Sequence, residues 1–96
     1  MKYRLIVKPE AEEDILLAAK WYEQHRSNLG IRFLDALDDK LSQLISNPLL
    51  FQVRYKNTRF AFLKRFPFAV HDVVEGEIVF VIAVLSTHRN PKIWKS

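Results

Sequence analysis

A change of hydrophobic period near the middle of the chain limits its architecture more than any other feature. Ala11, Ile15, Ala18 and Tyr22 recur at helical spacing, with Leu17 and Trp21 widening the stripe. A second stripe follows at Ile31, Leu34, Leu37, Leu41, Leu44 and Ile45. Such spacing puts each set along one face of an α-helix. Beyond Asn47-Pro48 the helical period is lost. Arg59 to Arg65 (RFAFLKR), Phe68 to Val74 (FAVHDVV) and Glu77 to Leu85 (EIVFVIAVL) read as strands, the last apolar on both faces and so the most buried. A chain patterned this way lays a pair of helices against a sheet.

Local signals fix the limits of these elements. Tyr3 to Lys8 (YRLIVK) is a first strand, rich in β-branched and aromatic residues. Pro9 suits the first position of a helix, and Glu10, Glu12, Glu13 and Asp14 place negative charge at its positive end, so the first helix runs from about Pro9 to about His25. Ser27 or Asn28 is expected to cap the second helix, with Gly30 easing the turn, and Asn47-Pro48 ends it. The short connection predicts an antiparallel helical hairpin. Glu75-Gly76 is a candidate two-residue turn between the last two strands. The expected fold is therefore α+β, in the order β-α-α-β-β-β. Its sheet is mainly antiparallel, with the helical hairpin on one face and the first strand placed beside the last.

Ninety-six residues allow one core, so a single domain over residues 1–96 is expected. There is no cysteine, which excludes disulfides and thiolate metal sites and fits a reducing cytoplasm. The N-terminal stretch is too short in apolar residues for a signal peptide, and no run is long enough to span a membrane. The net charge of +4 is unevenly spread. Residues 1–39 balance at −2 and residues 72–96 at zero, whereas residues 40–71 hold Lys40, Arg54, Lys56, Arg59, Lys64 and Arg65 without one acid. A basic middle of this kind calls for an anionic partner, either nucleic acid or an acidic protein.

Several strings, taken in order, carry a family resemblance. They are Lys8-Pro9-Glu10-Ala11 leading into Asp14-Ile15, Gly30-Ile31-Arg32-Phe33, Asn47-Pro48, Arg59, Arg65-Phe66-Pro67-Phe68, and Arg89-Asn90-Pro91 with Trp94. Together with the element order they resemble the RelE/ParE superfamily of toxins from type II toxin–antitoxin (plasmid stabilisation) modules. The resemblance implies a cytoplasmic, growth-inhibiting protein held inactive by a co-expressed, acidic, partly helical antitoxin. It implies neither cofactor nor metal. RelE-like members cleave mRNA on the ribosome; ParE-like members poison DNA gyrase.

The residues offer groups for either activity. Metal-free RNA cleavage needs a base for the 2′-hydroxyl, cations for the phosphorane and an acid for the leaving oxygen. Arg59, Arg65, His88 and Arg89 are the candidates for that chemistry. Alternation on a strand would put Arg59 and Arg65 on one face, with Ala61 and Leu63 and opposite Phe60 and Phe62. For a binding toxin, Arg54, Lys56, Arg59, Arg65, Arg89 and Trp94 would form the target surface. Each has a plainer reading: cations on an outer strand discourage sheet-to-sheet pairing, His25 complements a helix C-terminus, and His71, Trp21 and Tyr22 are packing residues. RelE-like ribonucleases carry a tyrosine or histidine near the end, but here no tyrosine follows Tyr55, and His88 alone remains. If the last strand reached that far, Ser86 and His88 would share a face. ParE-like chains often have a histidine where Ser86 stands, yet Arg89-Asn90-Pro91 with Trp94 leans the resemblance toward ParE. An inactive member that only binds antitoxin or nucleic acid is the third reading.

Overall fold

In the computed structural model, which describes residues 3–88, the elements are β1 (Arg4–Val7), α1 (Pro9–His25), α2 (Leu29–Ser46), β2 (Val53–Tyr55), β3 (Thr58–Phe62), β4 (Phe68–Glu75) and β5 (Ile78–Ser86). A 3-10 turn, Pro48–Leu50, joins α2 to β2. The expected α+β class and order hold, with one strand added: Val53–Tyr55 forms the outermost strand. The five strands lie in the order β1-β5-β4-β3-β2. All neighbours are antiparallel except β1, which runs parallel to β5 with Leu5 opposite Val79 and Val7 opposite Val81. A parallel neighbour requires a crossover, and the two helices supply it.

Both helices pack on the sheet face that carries Ala61, Val70, Val81 and Val84, and α1 adds Ala11 and Ala18 while α2 adds Phe33, Leu37 and Leu44. The register of β4 on β5 slips between His71 and Asp72: His71 faces Ala83, Asp72 faces Val81, and Ile82 is left as the extra residue. That bulge keeps both Val81 and Val84 on the helix side. Asp14 reaches the same stretch from α1, where its Oδ2 accepts the Val84 N–H at 3.1 Å. Besides placing negative charge at the start of the helix, Asp14 thus anchors the helix to the sheet.

The join between the helices departs from the sequence reading. Asn28 takes a left-handed conformation (φ 70°) and makes no side-chain cap. Instead the Glu23 carboxylate accepts the N–H groups of Asn28 and Gly30, both at 3.0 Å. Gly30 lies inside α2 rather than in the turn. A Cβ there would come 2.7 Å from the Ala19 carbonyl oxygen, so glycine is what lets the helices approach. The last hairpin turns at Gly76-Glu77, one residue later than predicted, with Gly76 at φ 60°. No described helix is long and apolar enough to cross a membrane.

Gly30→Ala should destabilise the protein by roughly 1–3 kcal/mol, because the new methyl meets rigid backbone and outweighs the gain in helix propensity. Urea unfolding of the two proteins measures it, and an unchanged or raised midpoint would show that the helices part without cost.

Candidate interaction site

The six cations of the acid-free segment do not gather on one strand face. Arg54 and Lys56 are exposed on or just beyond β2, at the sheet's edge. The Arg54 guanidinium lies 5.4 Å from the centre of the Phe62 ring, and the Lys56 ammonium 5.4 Å from that of Tyr55. Lys40 is buried against α2's neighbours, where Nζ donates to Gln43 Oε1 at 3.1 Å and sits 5.5 Å from the Phe51 ring centre. Arg59 is half-buried in β3; its Nε donates to the Phe51 carbonyl at 2.9 Å, and its cross-strand neighbour is Asp72.

Arg65 does not share a face with Arg59, because β3 ends at Phe62. Leu63 N–H bonds to the Phe68 carbonyl at 2.9 Å, closing a short loop in which Arg65 turns left-handed at φ 71°. That loop stands opposite α2 and encloses a cavity of about 720 Å³. Tyr22, Ala36, Phe66 and Pro67 line it together with Arg32, Lys40, Lys64 and Arg65, while Asp35 and Asp39 are its acids. Apolar walls with a surplus of cations suit an acidic, amphipathic segment.

The histidines stand far apart in the architecture. His25 closes α1, with Nδ1 2.7 Å from the Trp21 carbonyl oxygen and its ring stacked on Trp21. Tyr22 packs in the core's aromatic cluster, whereas Trp21, also expected to be a packing residue, is 54% exposed and packs along its own helix, against Tyr22 and His25. His71 is buried on the sheet face away from the helices, stacked on Phe60 with ring centres 4.0 Å apart. β5 ends at Ser86, so His88 lies beyond the strand, exposed, with its backbone N–H donating to Ser86 Oγ. Arg89 and Trp94, named from the sequence, lie outside the described residues. Among the described residues no histidine, aspartate and glutamate group has the geometry to hold a metal ion. The described members of the expected catalytic set therefore occupy a strand, a loop and a strand end. What they present together is charged surface.

Sequence reasoning passed over Asp72, whose only sequence signal is an acid inside an apolar run. It is 0% exposed, and its carboxylate oxygens accept no hydrogen bond from any described residue. Burial pushes its pKa up from 3.8 to about 6, against the opposing pull of Arg59. Its neighbour His71, 5% exposed, is pushed down by burial from 6.5 to about 4. Folding thus favours the neutral form of each group.

Comparison with known proteins gives a consistent outcome. The family model described as "ParE toxin of type II toxin-antitoxin system, parDE" matches residues 5–91. A solved structure titled "Chromosomal ParDE TA system from P. aeruginosa" superposes with a TM-score of 0.78 at 15% identity, covering 88% of this chain and 96% of that one. The "E. coli DinJ-YafQ toxin-antitoxin complex" gives a TM-score of 0.61 at 15% identity, covering 90% of this chain and 93% of that one. No curated protein matches in sequence.

The two buried groups act on stability in opposite senses. The raised Asp72 pKa makes stability fall as pH rises from about 4 to about 6; the lowered His71 pKa makes it rise from about 4 to about 6.5. Asp72→Asn removes the falling contribution alone. Relative to the parent it should therefore gain roughly 2–3 kcal/mol between pH 4 and pH 7, read from urea unfolding at several pH values. A pH-independent difference would mean that Asp72 titrates like an exposed carboxylate.

Proposed function

The chain belongs to the ParE toxin family of type II toxin–antitoxin systems, and from that premise we propose that it inhibits growth in the cytoplasm by binding and poisoning DNA gyrase. The observation that carries this reading is the distribution of its cations. Those exposed within the acid-free segment lie on the sheet's edge and around a groove, and the described members of the expected catalytic set, Arg59, Arg65 and His88, converge on no acid–base centre. Such a surface binds; it does not need to transfer protons. Arg54, Lys56 and Arg65 supply its charge, Arg59 braces the edge through Phe51, and Arg89 and Trp94, outside the described residues, are the further target-binding residues of this reading.

The partner that restrains the toxin is an acidic, partly helical antitoxin segment lying in the groove between α2 and the β3–β4 loop. Charge complementarity supports this: Arg32, Lys40, Lys64 and Arg65 outnumber Asp35 and Asp39 on the lining. A segment bound only to the folded chain stabilises it by mass action, by about 2.7 kcal/mol at a hundredfold excess over the dissociation constant.

Expression from a tight promoter without antitoxin, with DNA and protein synthesis pulse-labelled separately in the first minutes, tests the target. DNA synthesis should stop first while translation continues. An early stop in translation would overturn the gyrase reading in favour of ribosome-dependent mRNA cleavage by Arg59, Arg65, His88 and Arg89, and no effect on either would leave a binding module without toxicity. In the purified complex, the toxin's thermal midpoint should stand clearly above that of the free chain.

A further inference from the structure

Four exposed apolar side chains fall within residues 49–55, at the sheet's outer margin. Leu49 and Leu50, on the 3-10 turn, are 57% and 77% exposed, and Val53 and Tyr55 on β2 are 44% and 49% exposed. Lone exposed leucines are ordinary, but a run of large apolar side chains on one edge marks a site of association. Cations stand among them. Lys56 leans on Tyr55, and Arg54, between Val53 and Tyr55 in the chain, leans on Phe62 of β3, itself 39% exposed, so both charges lie against apolar rings at this edge. No Asp or Glu occurs anywhere from Lys40 to His71.

The shape of this edge limits what can cover it. At 44–77% exposure on the outermost strand and the turn before it, these side chains stand out from the rim of the sheet as a ridge. β2 offers only three residues, with its register on β3 shifted between Val53 and Tyr55, and is a poor template for another strand. A peptide laid alongside would bury one flank and leave the crest in water. The complement of an apolar ridge flanked by cations is an apolar cleft with an acidic rim on a larger folded protein.

We infer that the ridge formed by Leu49, Leu50, Val53 and Tyr55, with Arg54 and Lys56 beside it, is the surface that contacts the target, seating in an acidic-rimmed cleft on DNA gyrase. The inference rests on the gyrase reading above and narrows the target surface to the ridge, leaving Arg65 to the antitoxin groove that it lines. Its two components act on different rates. The charges steer the encounter, and the apolar crest holds the complex once formed.

The test uses the full chain, purified gyrase holoenzyme and the cognate antitoxin, with two double variants, Leu49→Ser/Leu50→Ser and Arg54→Glu/Lys56→Glu. All these side chains are exposed, and a thermal midpoint close to the parent's checks that both variants fold. The leucine pair should weaken gyrase binding by about tenfold or more, mainly through faster dissociation. The charge pair should slow association and flatten its salt dependence. Both should lose growth arrest yet still form the antitoxin complex. Parent-like gyrase binding by both variants overturns the inference. So does loss of antitoxin binding with gyrase binding intact, or a self-association of the parent that both variants abolish while gyrase binding persists. If the parent itself fails to bind gyrase, the target reading falls and takes this assignment with it.

Discussion

The ring of Phe33 is the point on which the rest of the molecule turns. It is wholly buried, and it meets Tyr22 of α1 at 5.4 Å, Phe66 of the β3–β4 loop at 5.5 Å and Phe68 of β4 at 5.1 Å between ring centres. Both helices and the segment from Phe66 to Phe68 are thereby fixed together by apolar burial, with Phe33 stacked on Tyr22 and edge-to-face with the two phenylalanines. Tyr22 closes the cluster against Phe66 at 5.0 Å. Gly30, one helical turn before Phe33, allows the close helix approach that brings Tyr22 into range. The position of the loop, and with it the cationic side chains of Lys64 and Arg65, follows from this packing. A groove on the surface is set by a ring in the core.

Burial of ionisable groups shows a second constraint. The protein places an acid and a base side by side on β4, one facing the helices and the other the opposite sheet face, and neither is comfortable when charged. Their effects on stability oppose one another over nearly the same pH range. A small domain has only a few kcal/mol to spare, so one such group alone would make its stability strongly dependent on pH. The bulge at Ile82 sits beside this pair, and Asp14 holds the β5 backbone one step further along. The strand junction is therefore secured by hydrogen bonding to a helix as well as by the ladder.

The helices were readable in the sequence almost to the residue, because several independent signals agree there. Pro9 starts α1, acidic residues follow it, and Pro48 forbids α2 from continuing beyond Ser46 and Asn47. β4 and β5 were readable from their apolar runs, but β4 rather than β5, expected to be the most buried strand, is the more buried of the two; β1 lies parallel to β5 with the two helices supplying the crossover. β2 was not readable. Three residues give no measurable alternation, and all three are exposed, so Val53-Arg54-Tyr55 resembles loop. Arg65 was misplaced for a different reason. RFAFLKR has the aromatic and apolar run of a strand, but the chain must reverse before Phe68, and the Leu63–Phe68 hydrogen bond sets where it does so. Asp72 was invisible because an acid in a strand normally marks a solvent face. Only the register, which puts it with Val70 under the helices, reveals otherwise.

The same residues that would protect the sheet's edge also make it selective. An edge strand exposes unpaired backbone groups, and proteins guard it with short length, irregular register and positive charge. β2 has all three, which bars another strand from pairing there. Protection alone, however, would favour polar side chains throughout, and Leu49, Leu50, Val53 and Tyr55 contradict it. Exposing them costs solubility, and solvation of the neighbouring cations offsets that cost. What remains is a surface closed to strands but open to a shaped, acidic cleft. Specificity here comes as much from excluding the wrong geometry as from attracting the right charge.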